Sequence, residues 1–203
     1  MLKDLANKKS CELSLKEKLI LAFYENAMMA VTGLVIVLLF YTFGFKIVAV
    51  DGNSMLPTLH DGDRLIVTAF CSEPKQGDVI ISTQPNFSGN SIVKRVIATE
   101  NQIVDIDFST GDVFVDGELL YEPYINNLTI NKDSLNFPVK VPEGYVFVMG
   151  DNRQGSTDSR SDKVGFIREE YIFGVAKLKV INFDKDREEK KLQLIPFSEW
   201  KVE

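Results

Sequence analysis

A serine lies in a short segment whose neighbours restrict its backbone. The sequence Asp51-Gly-Asn-Ser-Met-Leu-Pro-Thr58 places Ser54 between Gly52 and Pro57. Gly52 lets another backbone approach closely, whereas Pro57 fixes its own φ and favours an extended residue before it. A hydroxyl in a stiff segment is a candidate acyl nucleophile, and a solvated turn serine is the alternative interpretation. As a nucleophile, Ser54 needs a neighbouring base.

Two residues are candidates for this base. His60 is the only histidine, but it lies in the turn Leu59-His-Asp-Gly62, where an exposed histidine is commonplace. A lysine can also serve in a Ser-Lys arrangement, once apolar surroundings have lowered its pKa from about 10.4. Lys94 lies within Ile92-Val-Lys-Arg-Val-Ile97. Because alternate residues of a strand share a face, Lys94 or Arg95 must face inward, unless the strand is at an edge and both side chains reach water. Lys94 is therefore the stronger candidate.

A third polar segment follows an apolar run late in the chain. It reads Met149-Gly-Asp-Asn-Arg-Gln-Gly-Ser-Thr-Asp-Ser-Arg160. An Asp-X-Arg sequence with adjacent hydroxyls can form a bidentate ion pair that makes a site rigid. An ordinary polar loop is the alternative. A metal site is not expected, because no His or Cys is near and the carboxylates lack the spacing of a calcium loop.

Short apolar runs separated by turns must position these residues. Turn sequences such as Ser109-Thr-Gly-Asp112 and Asp116-Gly117 favour hairpins. Helical periodicity is scarce after Val48, so we expect an all-β domain. The predicted strands cover residues 64–70, 79–82, 91–98, 103–108, 113–115 and 145–149, with one or two more in residues 171–183.

An uncharged apolar run precedes the β region. Residues 27–45 read AMMAVTGLVIVLLFYTFGF, and a helix of this length spans about 28 Å, close to the ~30 Å hydrocarbon core of a bilayer. The run ends in aromatic residues, as at a membrane interface. It is longer than the apolar region of a cleaved signal peptide, and it lacks the polar stripe of a buried core helix. We expect a retained transmembrane signal-anchor helix over residues 27–45.

Basic residues before the apolar run predict its orientation. Because basic flanks stay inside, we expect residues 1–26 in the cytoplasm and residues 46–203 outside it. Five lysines precede the run: Lys3, Lys8, Lys9, Lys16 and Lys18. The only basic residues within about twenty positions after it are Lys46 and Arg64.

The bulk composition narrows the function classes. A chain of 203 residues, 45% hydrophobic and 26% charged, is in the globular range. The net charge of −6 gives no reason to expect nucleic acid as a partner. Cys11 and Cys71 lie on opposite sides of the apolar run, which disfavours a disulfide between them. The acidic stretch at residues 100–122 and the mixed run at 184–191 are expected to be solvated surface.

Together, these segments resemble the bacterial type I signal peptidases. The resemblance extends from the anchor to about residue 180, and the size and single anchor are similar to the Gram-positive type. Four motifs occur in the family's order: the nucleophile motif Asn53-Ser-Met-Leu-Pro-Thr58, the short motif Gly77-Asp-Val-Ile80, the general-base motif Val93-Lys-Arg-Val96, and the last motif Gly150-Asp-Asn-Arg-Gln-Gly-Ser-Thr-Asp-Ser-Arg160.

The resemblance implies a role for five site residues. Ser54 would be the acyl nucleophile, with its backbone N–H as one oxyanion donor. Lys94 would be the general base, first for Ser54 and later for the deacylating water. Ser156 would hydrogen-bond and orient Lys94. Asp158 and Arg160 would form a structural ion pair beside the site.

The resemblance also implies the substrate and the partners. An exported preprotein would lie extended along the nucleophile segment, with small residues at −1 and −3 in shallow pockets. Some members have a second oxyanion donor, a hydroxyl, at the position of Gly52, so that role is open here. No cofactor or metal is implied. The partners would be preprotein signal peptides and the phospholipid membrane; the chain would be a monomer, with the secretion translocon as a candidate contact. The expected substrate-contacting residues are Val50, Gly52, Met55, Leu59 and Val93.

The predicted architecture is mainly β, with one N-terminal transmembrane helix and an all-β catalytic domain at the cytoplasmic membrane. A smaller β insertion is expected over about residues 100–142, where Glu122-Pro-Tyr124 is typical of the family. Two rival classes remain. A self-cleaving repressor domain would need a DNA-binding helix-turn-helix, for which residues 1–26 are too short. An anchored β domain that only binds would make Ser54 and Lys94 dispensable. The intact nucleophile and base motifs argue against an inactive homologue of the peptidases.

Overall fold

The structure of the protein is a computed structural model that describes residues 14–43, 45–68, 73–83, 91–180 and 194–196. The chain divides into two compact units, Met1–Gly44 and Phe45–Glu203. Several residues of the sequence interpretation lie outside the described residues, namely Lys3, Lys8, Lys9, Cys11, Cys71 and the mixed-charge run at 184–191.

The first unit contains one long helix, α1 (Leu15–Phe43). A capping box begins it: the Ser14 N–H donates to Glu17 Oε2 at 2.9 Å, and the Glu17 N–H donates to Ser14 Oγ at 3.4 Å. The helix therefore begins before the apolar run from which it was predicted. It is long and apolar enough to cross a membrane over Leu15–Leu39. Its end also differs from the expectation, because Phe45 already belongs to the first strand.

The second unit contains an eight-stranded antiparallel sheet. Its strands pair in the order β1-β2-β11-β3-β4-β9-β10, and β12 pairs with β11. The strands are β1 (Phe45–Ala49), β2 (Arg64–Thr68), β3 (Val79–Ser82), β4 (Ile92–Ala98), β9 (Tyr145–Met149), β10 (Ile167–Arg168), β11 (Ile172–Val180) and β12 (Leu194–Pro196).

A smaller sheet lies between β4 and β9 in the chain. Its strands pair in the order β7-β6-β5-β8. The β6–β7 turn places Asp116 at φ 53° and Gly117 at φ 83°, as a tight hairpin turn requires. The predicted mainly β fold, with one N-terminal helix and a smaller β insertion, is confirmed. The strands of this sheet are β5 (Ile103–Asp107), β6 (Asp112–Val115), β7 (Glu118–Leu119) and β8 (Val139–Lys140).

Strand β4 lies deep in the molecule and carries the candidate base. It pairs with β3 on one side and β9 on the other, and apolar clusters cover both of its faces. Lys94 and Arg95 are both buried, at 5% and 4% exposure. Sequence alternation predicts that at least one of these two bases faces inward. In the structure both are buried, because apolar clusters cover both faces of β4.

Candidate active site

The nucleophile segment is the connection between β1 and β2. Its ends are closed by two backbone bonds: the Val50 N–H donates to the Asp63 carbonyl at 2.8 Å, and the Gly62 N–H donates to the Val50 carbonyl at 2.9 Å. Met55 and Leu59 anchor the segment to the protein core, since both side chains are fully buried in an apolar cluster. The anchored segment leaves Ser54 partly exposed.

Lys94 lies beside the Ser54 hydroxyl although 40 residues separate them in the chain. The Lys94 ammonium donates to Ser54 Oγ at 2.9 Å and to the Val93 carbonyl at 3.0 Å. No other side chain of the described residues hydrogen-bonds Ser54 Oγ. His60 is exposed, and its backbone N–H bonds Asp63, so the structure brings Lys94, and not His60, to the serine.

Burial lowers the pKa of Lys94, which favours its neutral form. Desolvation lowers the pKa of Lys94 from 10.5 to about 8, and the negative charges of Asp158 and Asp151 partly oppose that shift. At a pKa of about 8, roughly one lysine in ten is neutral at pH 7, compared with fewer than one in a thousand for a solvated lysine. The described side chains therefore include an amine that can accept a proton beside a hydroxyl.

The segment after β9 packs directly against the nucleophile segment. A Cβ on Gly150 would lie 2.3 Å from Ser156 Oγ and 2.4 Å from the Ser54 carbonyl oxygen, so only glycine fits there. The Asn152 N–H donates to the Ser54 carbonyl at 3.1 Å, and Asn152 Nδ2 donates to the Asn53 carbonyl at 3.1 Å. This segment therefore holds the backbone of the serine.

Ser156 does not make the bond to Lys94 that the resemblance implies. Its Oγ is buried and has no hydrogen-bond partner among the described residues. It lies close to the Ser54 carbonyl, since a Cβ on Gly150 would touch both atoms. An orienting role for Ser156 stays a prediction.

Asp158 and Arg160 form a buried bidentate ion pair. Arg160 Nε donates to Asp158 Oδ1 and Arg160 Nη2 to Oδ2, both at 2.8 Å. Asp158 Oδ2 also accepts the Gly150 N–H at 3.0 Å, while Arg160 Nη2 donates to the Arg153 carbonyl at 2.7 Å. The pair thus fixes the backbone that contacts Ser54.

A second buried ion pair was missed by the sequence interpretation. Arg95 donates to both carboxylate oxygens of Asp151, at 2.8 Å and 2.6 Å. Thr58 Oγ1 donates to Asp151 Oδ2 at 2.5 Å, and the Tyr124 ring lies 3.9 Å from the guanidinium carbon of Arg95. The sequence contained a signal for this pair, because Arg95 directly follows the candidate base and Asp151 is the first acidic residue of the last motif.

A third ion pair joins the segment between β7 and β8 of the smaller sheet to the site. Arg153 bonds both carboxylate oxygens of Glu122 and donates to Thr129 Oγ1 at 2.7 Å. Arg153 Nε also donates to the Gly150 carbonyl at 3.2 Å. The motif Glu122-Pro-Tyr124 therefore contacts the site through two arginines.

The residues expected to contact substrate occupy different environments. Val50, Met55 and Leu59 are buried in one apolar cluster, against which the partly buried Val93 packs. Gly52 has φ +88°, and a Cβ there would meet no atom within 4 Å. Its conformation requires glycine, and the space above it is open. The contacts of these five residues with substrate stay predictions.

A serine hydroxyl hydrogen-bonded to a buried lysine amine is an arrangement found in serine peptidases. The family model described as signal peptidase, peptidase S26, matches residues 23–181. The chain is 36% identical to "Signal peptidase I T" of Bacillus subtilis over 79% of this chain and 86% of that protein. It is 37% identical to "Probable signal peptidase I-1" of Synechocystis over 75% and 79%. The crystal structure of a signal peptidase I from Enterococcus faecalis V583 aligns with a TM-score of 0.42 at 27% identity, over 51% of this chain and 97% of that one. The chain belongs to the signal peptidase family, peptidase S26.

Proposed function

We propose that this protein is a membrane-anchored serine endopeptidase that removes N-terminal signal peptides from exported preproteins. Cleavage follows small residues at −1 and −3 and proceeds through an acyl-enzyme on Ser54. The observation that carries the proposal is the buried Lys94 amine, with a pKa of about 8, at 2.9 Å from Ser54 Oγ. The relatives named signal peptidase I support the substrate class.

Acylation begins with neutral Lys94. As Ser54 Oγ attacks the carbonyl carbon of the −1 residue, the lysine nitrogen accepts the hydroxyl proton. The carbonyl oxygen becomes an oxyanion, and the Ser54 backbone N–H, which has no acceptor among the described residues, donates to it. When the C–N bond breaks, the Lys94 ammonium returns the proton to the leaving amine, which becomes the N-terminus of the mature protein.

Deacylation repeats the proton transfer with water. Neutral Lys94 takes a proton from the attacking water, and the hydroxide adds to the ester carbonyl. Collapse of this intermediate breaks the bond to Ser54 Oγ, and the Lys94 ammonium protonates the departing Ser54 oxygen. The signal peptide leaves with a new carboxyl terminus, and no cofactor enters either step.

The N-terminal helix supports a membrane location. Its apolar stretch, Leu15–Leu39, fits a membrane-anchored protein. We propose residues 27–45 as the membrane span, residues 1–26 as cytoplasmic, and residues 46–203 as the catalytic domain outside the cytoplasmic membrane, with about 100–142 as the smaller insertion. Its partners are preproteins and phospholipid; a monomer in contact with the secretion translocon completes the proposal.

Replacement of the nucleophile tests this function. The detergent-solubilised full chain is incubated with a precursor whose signal peptide ends in Ala-X-Ala. Ser54→Ala is expected to lose cleavage and keep its circular dichroism spectrum. Ser109→Ala, at an exposed turn, is the matched control and is expected to cleave normally. Turnover retained by Ser54→Ala would eliminate Ser54 as the nucleophile.

A further inference from the structure

We propose that Asn152 positions the oxyanion donor of the Ser54 site, an inference that rests on the proposed function. Asn152 bonds the nucleophile segment twice. Its backbone N–H donates to the Ser54 carbonyl at 3.1 Å, and its side-chain Nδ2 donates to the Asn53 carbonyl at 3.1 Å. One residue thus holds the peptide groups on both sides of the Ser54 α-carbon.

The bond to the Asn53 carbonyl also sets the direction of the Ser54 N–H. A trans peptide unit is planar, so the Asn53 C=O and the Ser54 N–H lie in one plane and point in opposite directions. Holding the oxygen therefore aims the N–H. Gly52 has no hydroxyl that could act as a second donor, so stabilisation of the oxyanion depends strongly on the direction of this N–H.

The orientation of the Asn152 amide is itself constrained. The Gly155 N–H donates to Asn152 Oδ1 at 3.3 Å, which leaves Nδ2 facing Asn53. A Cβ on Gly155 would lie 2.5 Å from Asn152 Nδ2. Gly155→Ala should therefore displace the amide while every residue that contacts Ser54 keeps its identity.

The nucleophile turn does not depend on Asn152 alone. The Asn53 carbonyl also accepts the Leu56 N–H at 3.3 Å, and Met55 and Leu59 are buried in an apolar cluster that does not include Asn152. Loss of the amide should leave the segment folded and remove the restraint on the Ser54 N–H. Since the oxyanion exists only in the transition state and the intermediates, the loss should affect kcat and leave KM nearly unchanged.

The first measurement is steady-state cleavage by the detergent-solubilised full chain. Asn152→Ala and Gly155→Ala are each expected to lower kcat by about 10- to 100-fold, with KM within about twofold. Asn131→Ala, an exposed asparagine, is the matched control and is expected to match wild type. Two routes to the same displacement keep the test valid if one variant fails to fold.

The second measurement distinguishes positioning from a structural role. A peptide aldehyde ending in Ala-X-Ala adds Ser54 Oγ to its carbonyl carbon, and the hydroxyl proton passes through Lys94 to the new hemiacetal oxygen, which lies at the donor. The corresponding peptide alcohol binds without that bond. The Asn152 and Gly155 variants are expected to lose about 10- to 100-fold in aldehyde affinity and to retain alcohol affinity. Equal losses for both ligands, or wild-type kinetics, would overturn the role of Asn152. Absence of Ser54-dependent cleavage in wild type would instead overturn the proposed function, and this inference with it.

Discussion

At the scale of single residues, the site is built around a lysine whose environment disfavours its charge. Lys94 is 5% exposed, and burial lowers its pKa to about 8. Asp151 and Asp158 would restore the charge, but each carboxylate is bonded to an arginine. Pairing these carboxylates with Arg95 and Arg160 limits how far they raise the pKa, so the amine stays available as a base.

The pH dependence of cleavage follows from this pKa. In the proposed mechanism only the neutral amine accepts the Ser54 proton, so kcat/KM should rise about tenfold per pH unit below pH 8 and level off above it. Lys94→Arg should be inactive at every pH, because arginine does not deprotonate in proteins. A pH series of precursor cleavage checks both expectations. An active Lys94→Arg enzyme would place the base elsewhere.

The same shift predicts a pH-dependent stability. The Lys94 pKa is about 8 in the folded chain and 10.5 in its ordinary state, so between these values the unfolded chain binds more protons. Folding stability of wild type relative to Lys94→Met should therefore rise between pH 8 and pH 10.5, by about 3 kcal/mol in total, and should be constant below pH 8. Unfolding of both proteins in detergent over that range measures the difference. A flat difference would show that burial does not lower the pKa.

At the scale of secondary structure, β4 explains what sequence could and could not predict. Its apolar composition predicted the strand, and the motif around Lys94 predicted the base. Sequence alternation could not reveal that both Lys94 and Arg95 are buried, because this depends on β3, β9 and the apolar clusters on both faces. Strand β1 was missed because Phe45 was read as the end of the apolar run.

The same limit applies to the ion pairs. The Asp158–Arg160 pair is local, since the two residues are two positions apart within one motif, so spacing could predict it. The Arg95–Asp151 and Arg153–Glu122 pairs join residues 56 and 31 positions apart. Only the pairing of β4 with β9 and the path of the smaller sheet bring them together. Local chemistry was therefore readable, and contacts set by topology were not.

The buried Arg95–Asp151 ion pair, which joins β4 to the segment after β9, should contribute strongly to the free energy of unfolding. Asp151→Asn removes the carboxylate charge from the buried bidentate pair with Arg95 and weakens the bond to Thr58. Breaking a buried pair in this way costs about 3–5 kcal/mol. Glu170→Gln, in the exposed pair with Arg168, is the matched control and should change stability by less than about 0.5 kcal/mol. Denaturant unfolding of the three proteins measures the effect, and equal stabilities would show that the Asp151 pair contributes nothing.

At the scale of the whole molecule, the proposed function assigns anchoring to the apolar helix and catalysis to the β unit. The division falls at Gly44, close to the end of the predicted span. The lysines that predict the orientation lie before the apolar run, and the site residues all lie after it. The proposed function requires Ser54 and the cleavage site of the preprotein to be outside the cytoplasm, so orientation is the property on which function depends at this scale.

Orientation can be tested with single cysteines on the two sides of the helix. In a chain whose natural Cys11 and Cys71 are replaced by serine, Ser14→Cys and Tyr121→Cys place a thiol at exposed positions, Tyr121 being 84% exposed. Since basic flanks stay inside, a membrane-impermeant maleimide should label Cys at position 121 in intact cells, and Cys at position 14 only after permeabilisation. Equal labelling of both in permeabilised cells is the control for reactivity. Labelling of position 14 alone in intact cells would reverse the topology and place Ser54 on the wrong side of the membrane for exported substrates.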